Sequence, residues 1–226
     1  MTWRIAANPR AIPPAKPLEV TMTLDGYSIR QLAADLRRIR AENTDEHRIL
    51  AAVRPLALRA AESRDLWVED RMFAPEQEQG YSLFPLSEEE DHSLAVFALS
   101  WLPDRGTPPH DHGTWAVVAG VLGPEWNTFW RRQDDGTRPG YAKLEQTGAK
   151  MFLPGEVLAM PTGMIHQVWN QSFAVTVSLH IYGRHINHTG RSQFDVKNDT
   201  EHPFVTRIAP SGVPFRSACP PAAKLR

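Results

Sequence analysis

The most restrictive feature of the 226-residue sequence is a change of texture after Trp67. Upstream, Ile29, Leu32, Leu36 and Ile39 recur at steps of three and four, which predicts an amphipathic helix over 28–41. A second helix is expected from Asp45, a residue suited to cap it; Ile49, Leu50 and Val53 form its apolar face, and Pro55 bends or splits it. Downstream, short runs rich in Val, Phe, Trp and Thr are broken by Gly, Pro and Asp about every ten residues, which argues for an all-β sandwich or barrel. Candidate strands are 93–102, 109–122, 126–132, 143–152, 157–160, 165–170 and 174–182. One domain of mainly β class follows: an arm and helices over 1–66 packing on a barrel over 67–202, then a Pro-rich tail over 203–226 with no assignable chemistry.

Charge and cysteine content narrow the partners. With 25 Lys and Arg against 26 Asp and Glu, the net charge of -1 offers no basic field for nucleic acid or an anionic membrane. The opening residues lack the apolar core of a signal peptide, and no run approaches a membrane span, so a cytoplasmic protein is expected. The single cysteine, Cys219, excludes a thiolate-rich zinc cluster, so any metal must be held by nitrogen and oxygen.

His110-Asp111-His112 supplies such atoms. Alternate residues of an extended chain share a face, so both imidazoles point one way and Asp111 the other. A third histidine comes from Gly155-x5-Pro161-x-Gly163-x2-His166-x3-Asn170, in which Pro161 and Gly163 make a tight turn and His166 begins the next strand. This spacing matches the second sequence motif of the cupin superfamily, and the His-x-His resembles the core of its first, so the expected fold is a cupin double-stranded β-helix (jelly roll) with N-terminal helices. Common cupins add a glutamate ligand four or five residues after the second histidine; here those positions are Ala116 and Val117. Three neutral imidazoles leave a cation near 2+ with open positions, a centre that suits an anionic guest such as a thiolate. A hydrolytic zinc site uses the same three ligands with water in the fourth place.

In Ser178-Leu179-His180-Ile181-Tyr182 the polar residues alternate, so a hydroxyl, an imidazole and a phenol face inward together. With the three histidines, this series resembles the thiol dioxygenase family of cupins, which includes cysteine dioxygenase and 3-mercaptopropionate dioxygenase; the likeness runs from about Tyr81 to Tyr182. The resemblance implies Fe(II) held by His110, His112 and His166, an outer-sphere series of Ser178, His180 and Tyr182, and conversion of a small thiol and O2 to a sulfinate. It also leaves a departure. The arginine or glutamine that holds the substrate carboxylate in the family falls at Leu83, so a replacement cation is expected among Arg131, Arg184 and Arg191, with Arg184 taken as the substrate-binding candidate. Trp115 and Trp169 are candidate pocket walls. Two rivals share most of these features: a cupin dioxygenase acting on a non-thiol such as a diketone, and a non-catalytic metal-binding cupin.

Overall fold

A computed structural model describes residues 26–210. The expected N-terminal arm and Cys219 lie outside them. Two helices come first: α1 (Ile29–Glu42) and α2 (Glu46–Glu62). Ser28 closes α1 with a capping box, its side chain accepting from the Gln31 N–H while the Gln31 side chain accepts from the Ser28 N–H. Asp45 caps α2 by accepting from the Arg48 N–H. Pro55 does not split α2, which runs through it as one helix. Pro55 sits on the exposed face, while Ile49, Leu50, Val53, Ala57, Ala60 and Ala61 are buried opposite, and that packing offsets the backbone hydrogen bond a proline forfeits.

The rest is β. The strands are β1 (Tyr81–Glu88), β2 (Ala95–Trp101), β3 (Arg105–Gly106), β4 (Ala116–Leu122), β5 (Glu125–Arg132), β6 (Leu144–Phe152), β7 (Val157–Met160), β8 (Ile165–Asn170), β9 (Thr176–Tyr182), β10 (Ser192–Asp195) and β11 (Thr200–Pro203). They form a five-stranded antiparallel sheet ordered β1-β2-β9-β4-β7, a four-stranded sheet ordered β3-β8-β5-β6, and the β10-β11 hairpin. From β4 to β9 the chain visits one sheet and then the other, which is the double-stranded β-helix anticipated from the motif spacing. No described helix is long and apolar enough to cross a membrane.

Strand alternation sorts the side chains of the larger sheet into two layers. Val96 and Ala98 of β2, Val117, Ala119 and Val121 of β4, and Val177, Leu179 and Ile181 of β9 face outward, into one core with Leu32, Leu36, Val53 and Ala57 of the helices. Phe97, Leu99 and Trp101, Ala116 and Val118, and Tyr182 face inward, where Leu83, Met160, Val168 and Ile186 complete a second core. The helices therefore cover the outside of the sheet that carries the polar series, and every residue of β9 is buried.

Four strands escaped the sequence reading. β1 carries Pro85 and a register shift between Pro85 and Ser87, so it lacks clean alternation, and β3, β10 and β11 are only two to four residues long. The expected strand over 109–122 forms a ladder only from Ala116; before it, His110 makes isolated bridges to His166 and Gln193. Leu36 is 2% exposed between the helices and the sheet. Leu36→Ala is expected to destabilise the fold by about 3 kcal/mol through lost burial and the cavity left behind, measured as a lower urea midpoint at unchanged slope.

Candidate metal centre

Two backbone hydrogen bonds bring the histidine segments together. His110 N–H donates to the His166 carbonyl at 2.8 Å and His166 N–H to the His110 carbonyl at 3.0 Å, which places both imidazoles side by side at the barrel interior. Asp111 turns the other way and accepts from the Ser192 N–H at 3.0 Å, so the chain keeps the alternation of a strand although it is not part of a ladder. Gly113, at φ +61°, then turns the backbone away; a Cβ there would lie 2.8 Å from Thr189. On the other side, Met164 N–H donates to the Pro161 carbonyl across a turn in which Gly163 takes φ +83°, setting the start of β8.

The result is a group of three buried imidazoles, His110, His112 and His166, each offering one ring nitrogen within 4.8 Å of the others. His112 Nε2 and His166 Nε2 are 3.3 Å apart. On two of the three rings the other nitrogen is occupied: His110 Nδ1 lies 3.0 Å from the Pro108 carbonyl and His166 Nδ1 2.9 Å from Asn127 Oδ1. Those acceptors hold the rings in the tautomer whose Nε2 lone pair points inward. Burial, reinforced at His110 and His112 by neighbouring imidazoles, keeps the three rings neutral, with His166 pushed down to about 3. Neutral lone pairs converging at this range repel one another unless a cation lies between them, so the donor set fits a divalent metal with nitrogen preference. Ala116 and Val117, fully buried, add no carboxylate.

The polar face of β9 is equally well ordered. Ser178 Oγ lies 2.8 Å from His180 Nε2, and His180 Nδ1 2.8 Å from Tyr182 Oη. Burial drives His180 down to about 3 and the Tyr182 phenol upward, so both are neutral near pH 7. The Tyr182 ring stands 5.2 Å from that of His112, which joins the series to the metal group.

The three imidazoles, His180 and Tyr182 open on a cavity of about 20 Å³ that also touches Leu83, Leu99, Trp101, Ile186, Arg191, Phe204 and Thr206. Leu83 is thus where the resemblance puts it, in the pocket wall. Trp115 is not: it packs in the outer core against the helix side of the sheet. Trp169 lies outside as well, its indole donating to Asp104 at 3.1 Å. Arg184 is exposed and donates to the His188 carbonyl, and Arg131 is exposed in an ion pair with Glu145. The cation that faces the pocket is Arg191, 5% exposed. Its Cζ sits 4.1 Å above the Phe204 ring, one terminal nitrogen donates to Thr206 Oγ1, and Nε has no partner. Asp111 lies near enough for its charge to be felt there.

Four contributors could not be assigned from spacing. Phe204 and Thr206 belong to the Pro-rich stretch without periodicity; its described part, through residue 210, lines the pocket at these two residues and pairs with β1, Ala209 N–H donating to the Leu83 carbonyl. Asn127, and Glu125 on the same inward face of β5, alternate with Trp126 and Thr128, a weak strand signal that marks orientation but not role.

No protein-family model matches the chain. Solved structures similar to parts of it include oxalate oxidase in complex with the substrate analogue glycolate (14% identity, TM-score 0.40, 53% of this chain and 59% of that one). A double-stranded β-helix domain protein from Klebsiella pneumoniae is 11% identical (TM-score 0.39, 56% of this chain and 93% of that one). A cupin superfamily protein from Desulfitobacterium hafniense is 15% identical (TM-score 0.34, 45% of this chain and 75% of that one). The match spans about six-tenths of the oxalate oxidase chain. At this distance the likenesses say nothing of chemistry.

Two outcomes test the centre. Asn127→Ala is expected to weaken binding of zinc(II) or iron(II) about 10- to 100-fold while the fold persists, because His166 loses the acceptor that sets its tautomer; a competitive chelator titration measures it. For the metal-free protein, burial lowers His110, His112, His166 and His180, so the unfolded chain takes up protons below the ordinary value of 6.5 while the folded chain resists doing so, His166 and His180 down to about 3. Their contribution to stability is therefore present above pH 6.5 and is lost as pH falls toward 3, which urea unfolding at several pH values reads directly.

Proposed function

We propose that the chain is an iron(II)-dependent dioxygenase that oxidises a small thiol bearing an anionic group, of the cysteine or 3-mercaptopropionate type, to its sulfinate. The observation that carries this reading is the pairing, along one pocket, of a three-histidine group without carboxylate and a buried guanidinium that has no ion-pair partner among the described residues. Each lacks an anion. A thiolate answers the first and a carboxylate the second, and small thiols with an acidic group carry both.

The overall change is R–S⁻ + O2 → R–SO2⁻: two S–O bonds form, the O–O bond breaks, sulfur gives up four electrons and O2 accepts them. Iron(II) bound by His110, His112 and His166 would supply the one-electron chemistry that O2 needs. The chain's own residues do the rest. Arg191 offers its free Nε–H and the remaining terminal N–H groups to the anionic end of the substrate, in a cavity where such a charge-assisted pair is not shared with solvent. Thr206 keeps the guanidinium pointed inward, and the Phe204 face stabilises its charge. Leu83, Leu99, Val168 and Ile186 exclude water from the carbon chain. Tyr182 places a phenol beside the metal group, its position fixed by His180 and Ser178. A neutral diketone would leave Arg191 buried and unpaired, which is costly, so the pocket favours the thiol.

The decisive measurement is O2 uptake by iron-loaded protein offered cysteine, 3-mercaptopropionate, mercaptosuccinate and cysteamine. Uptake is expected with thiols that carry a carboxylate and not with cysteamine, whose ammonium faces Arg191. No uptake with any of them while iron is demonstrably bound ends the proposal. Arg191→Gln is expected to raise KM for the anionic thiol about 10- to 100-fold with a smaller change in kcat, the loss of one charge-assisted hydrogen bond.

A further inference from the structure

A second cluster of histidines, His92, His185 and His188, stands apart from the metal group, and one of its members reaches the pocket through hydrogen bonds. His185 follows β9 and is 7% exposed. Its N–H donates to the His92 carbonyl, and its Nδ1 accepts from the Asn187 N–H at 3.1 Å, capping the short turn Ile186–His188. Asn187 in turn clasps the strip that carries Thr206. Its side-chain N–H donates to the Thr206 carbonyl at 2.8 Å, and its Oδ1 accepts from the Thr206 N–H at 3.1 Å. Thr206 Oγ1 accepts from Arg191, and Ile186, Arg191 and Thr206 all line the pocket.

The His185 ring can provide this cap only while neutral. With Nδ1 accepting, the single ring proton is on Nε2, which faces a Glu88 carboxylate oxygen at 4.0 Å. A second proton can go only to Nδ1, where it would point at the Asn187 N–H; two donors cannot share that line, so protonation breaks the cap. The surroundings resist it. Phe97 of β2 stands edge-on to the ring at 5.3 Å and offers no lone pair. His92 and His188 lie 5.9 and 5.0 Å away between ring centroids, stacked on each other at 3.7 Å. Glu88 of β1 is the carboxylate that faces the ring, and His92 Nδ1 already lies 2.5 Å from the same oxygen. Of the other charged groups on these segments, Glu89 pairs with Arg37 of α1, Asp91 accepts from the Ser93 N–H, Arg184 donates to the His188 carbonyl, and Glu90 is exposed. Burial outweighs Glu88 and holds the imidazole below its ordinary value of 6.5. The capping form is thus the one present at neutral pH, and it is lost on the acid side.

We propose that His185 is a positioning residue that latches Thr206, and with it Arg191, through Asn187, and that the latch opens when the imidazole takes a proton. Latched, the guanidinium keeps the acceptor that points it at an anionic guest; open, it loses that acceptor and the strip is freed from the turn. The inference rests on Arg191 as the group that meets the anion and not on oxidation of a thiol.

The test uses ¹⁵N-labelled protein loaded with zinc(II), which keeps protons off His110, His112 and His166, with no thiol or O2 present. The His185 ring resonances, assigned by their loss in His185→Asn, and the Asn187 and Thr206 backbone amides are followed from about pH 8 to about pH 5. His185 Nδ1 is expected to change from an accepting to a protonated nitrogen with a midpoint below 6.5, and both amides should shift with that same midpoint. His185→Asn puts an amide oxygen near the place of Nδ1, a cap that does not titrate, so both amides should stay constant over the range. His185→Ala has no cap, and its Thr206 amide should exchange with solvent faster than that of His185→Asn at the same pH. Amides that shift with pH in His185→Asn as they do in the wild type overturn the proposal, since His92 or His188 would then be the cause. So do a wild-type ring that takes no proton in this range and amides that stay constant while the ring titrates. Should His185→Asn fail to fold, different midpoints for the ring and the Thr206 amide in the wild type overturn it equally. With neither thiol nor O2 in the sample, the result stands apart from that of the O2-uptake measurement.

Discussion

The reciprocal backbone hydrogen bonds between His110 and His166 are the constraint on which the rest of the molecule depends. They join a loop that precedes one sheet to a strand of the other, and in doing so set two imidazoles on a common interior point. Neither contact could form without the barrel, because β8 is held in place by β5 and β3 and the His110 segment by the β10-β11 hairpin. The metal group is thus a property of the closed fold rather than of the His-x-His motif alone. Its neutrality has the same origin: a ring sealed from water has little to stabilise a proton, and the neighbouring imidazoles and Arg191 add to that effect.

A second consequence of closure is that polar groups inside the barrel must satisfy one another. On β9 the outward residues Val177, Leu179 and Ile181 are committed to the helices, worth about 1.5–3 kcal/mol each when buried. Their inward neighbours Ser178, His180 and Tyr182 find partners along the same strand. Alternation thus builds an apolar outer layer and a polar inner line from seven consecutive residues. The strand cannot slip by one position without exchanging the two, which would put an imidazole among the helices and leucine beside the three histidines.

Much of this was legible in the sequence because it follows from period and spacing. The α1 stripe, the Asp45 cap, strands β7 and β8 with their intervening turn, and the inward direction of His110, His112, Ser178, His180 and Tyr182 are local consequences of where the side chains fall. What was not legible depends on contacts distant in sequence. Arg191 and Arg184 are indistinguishable as letters; one is buried over Phe204 and the other stands in solvent, and only the path of the chain after Tyr182 decides which. Trp115 lies next to the loop that carries His110 and His112 yet falls on the helix side of the sheet, immediately before β4 begins. Phe204 and Thr206 carry no periodic signal, since their place is set by pairing of the tail with Leu83 and by the hydrogen bonds that Thr206 makes with Asn187.

That tail gives the molecule a division of labour. The atoms that would grip a metal sit on the rigid body of the barrel, whereas part of the wall that a guest must pass is a single strand of irregular chain, anchored at Phe204 by Arg191 and at Ala209 by β1. Substitutions in that strip can reshape the entrance and redefine which guests are admitted without disturbing a single coordinating atom. Diversification of such a scaffold therefore has its least costly route at the rim, and its inner chemistry can stay constant while its clientele changes.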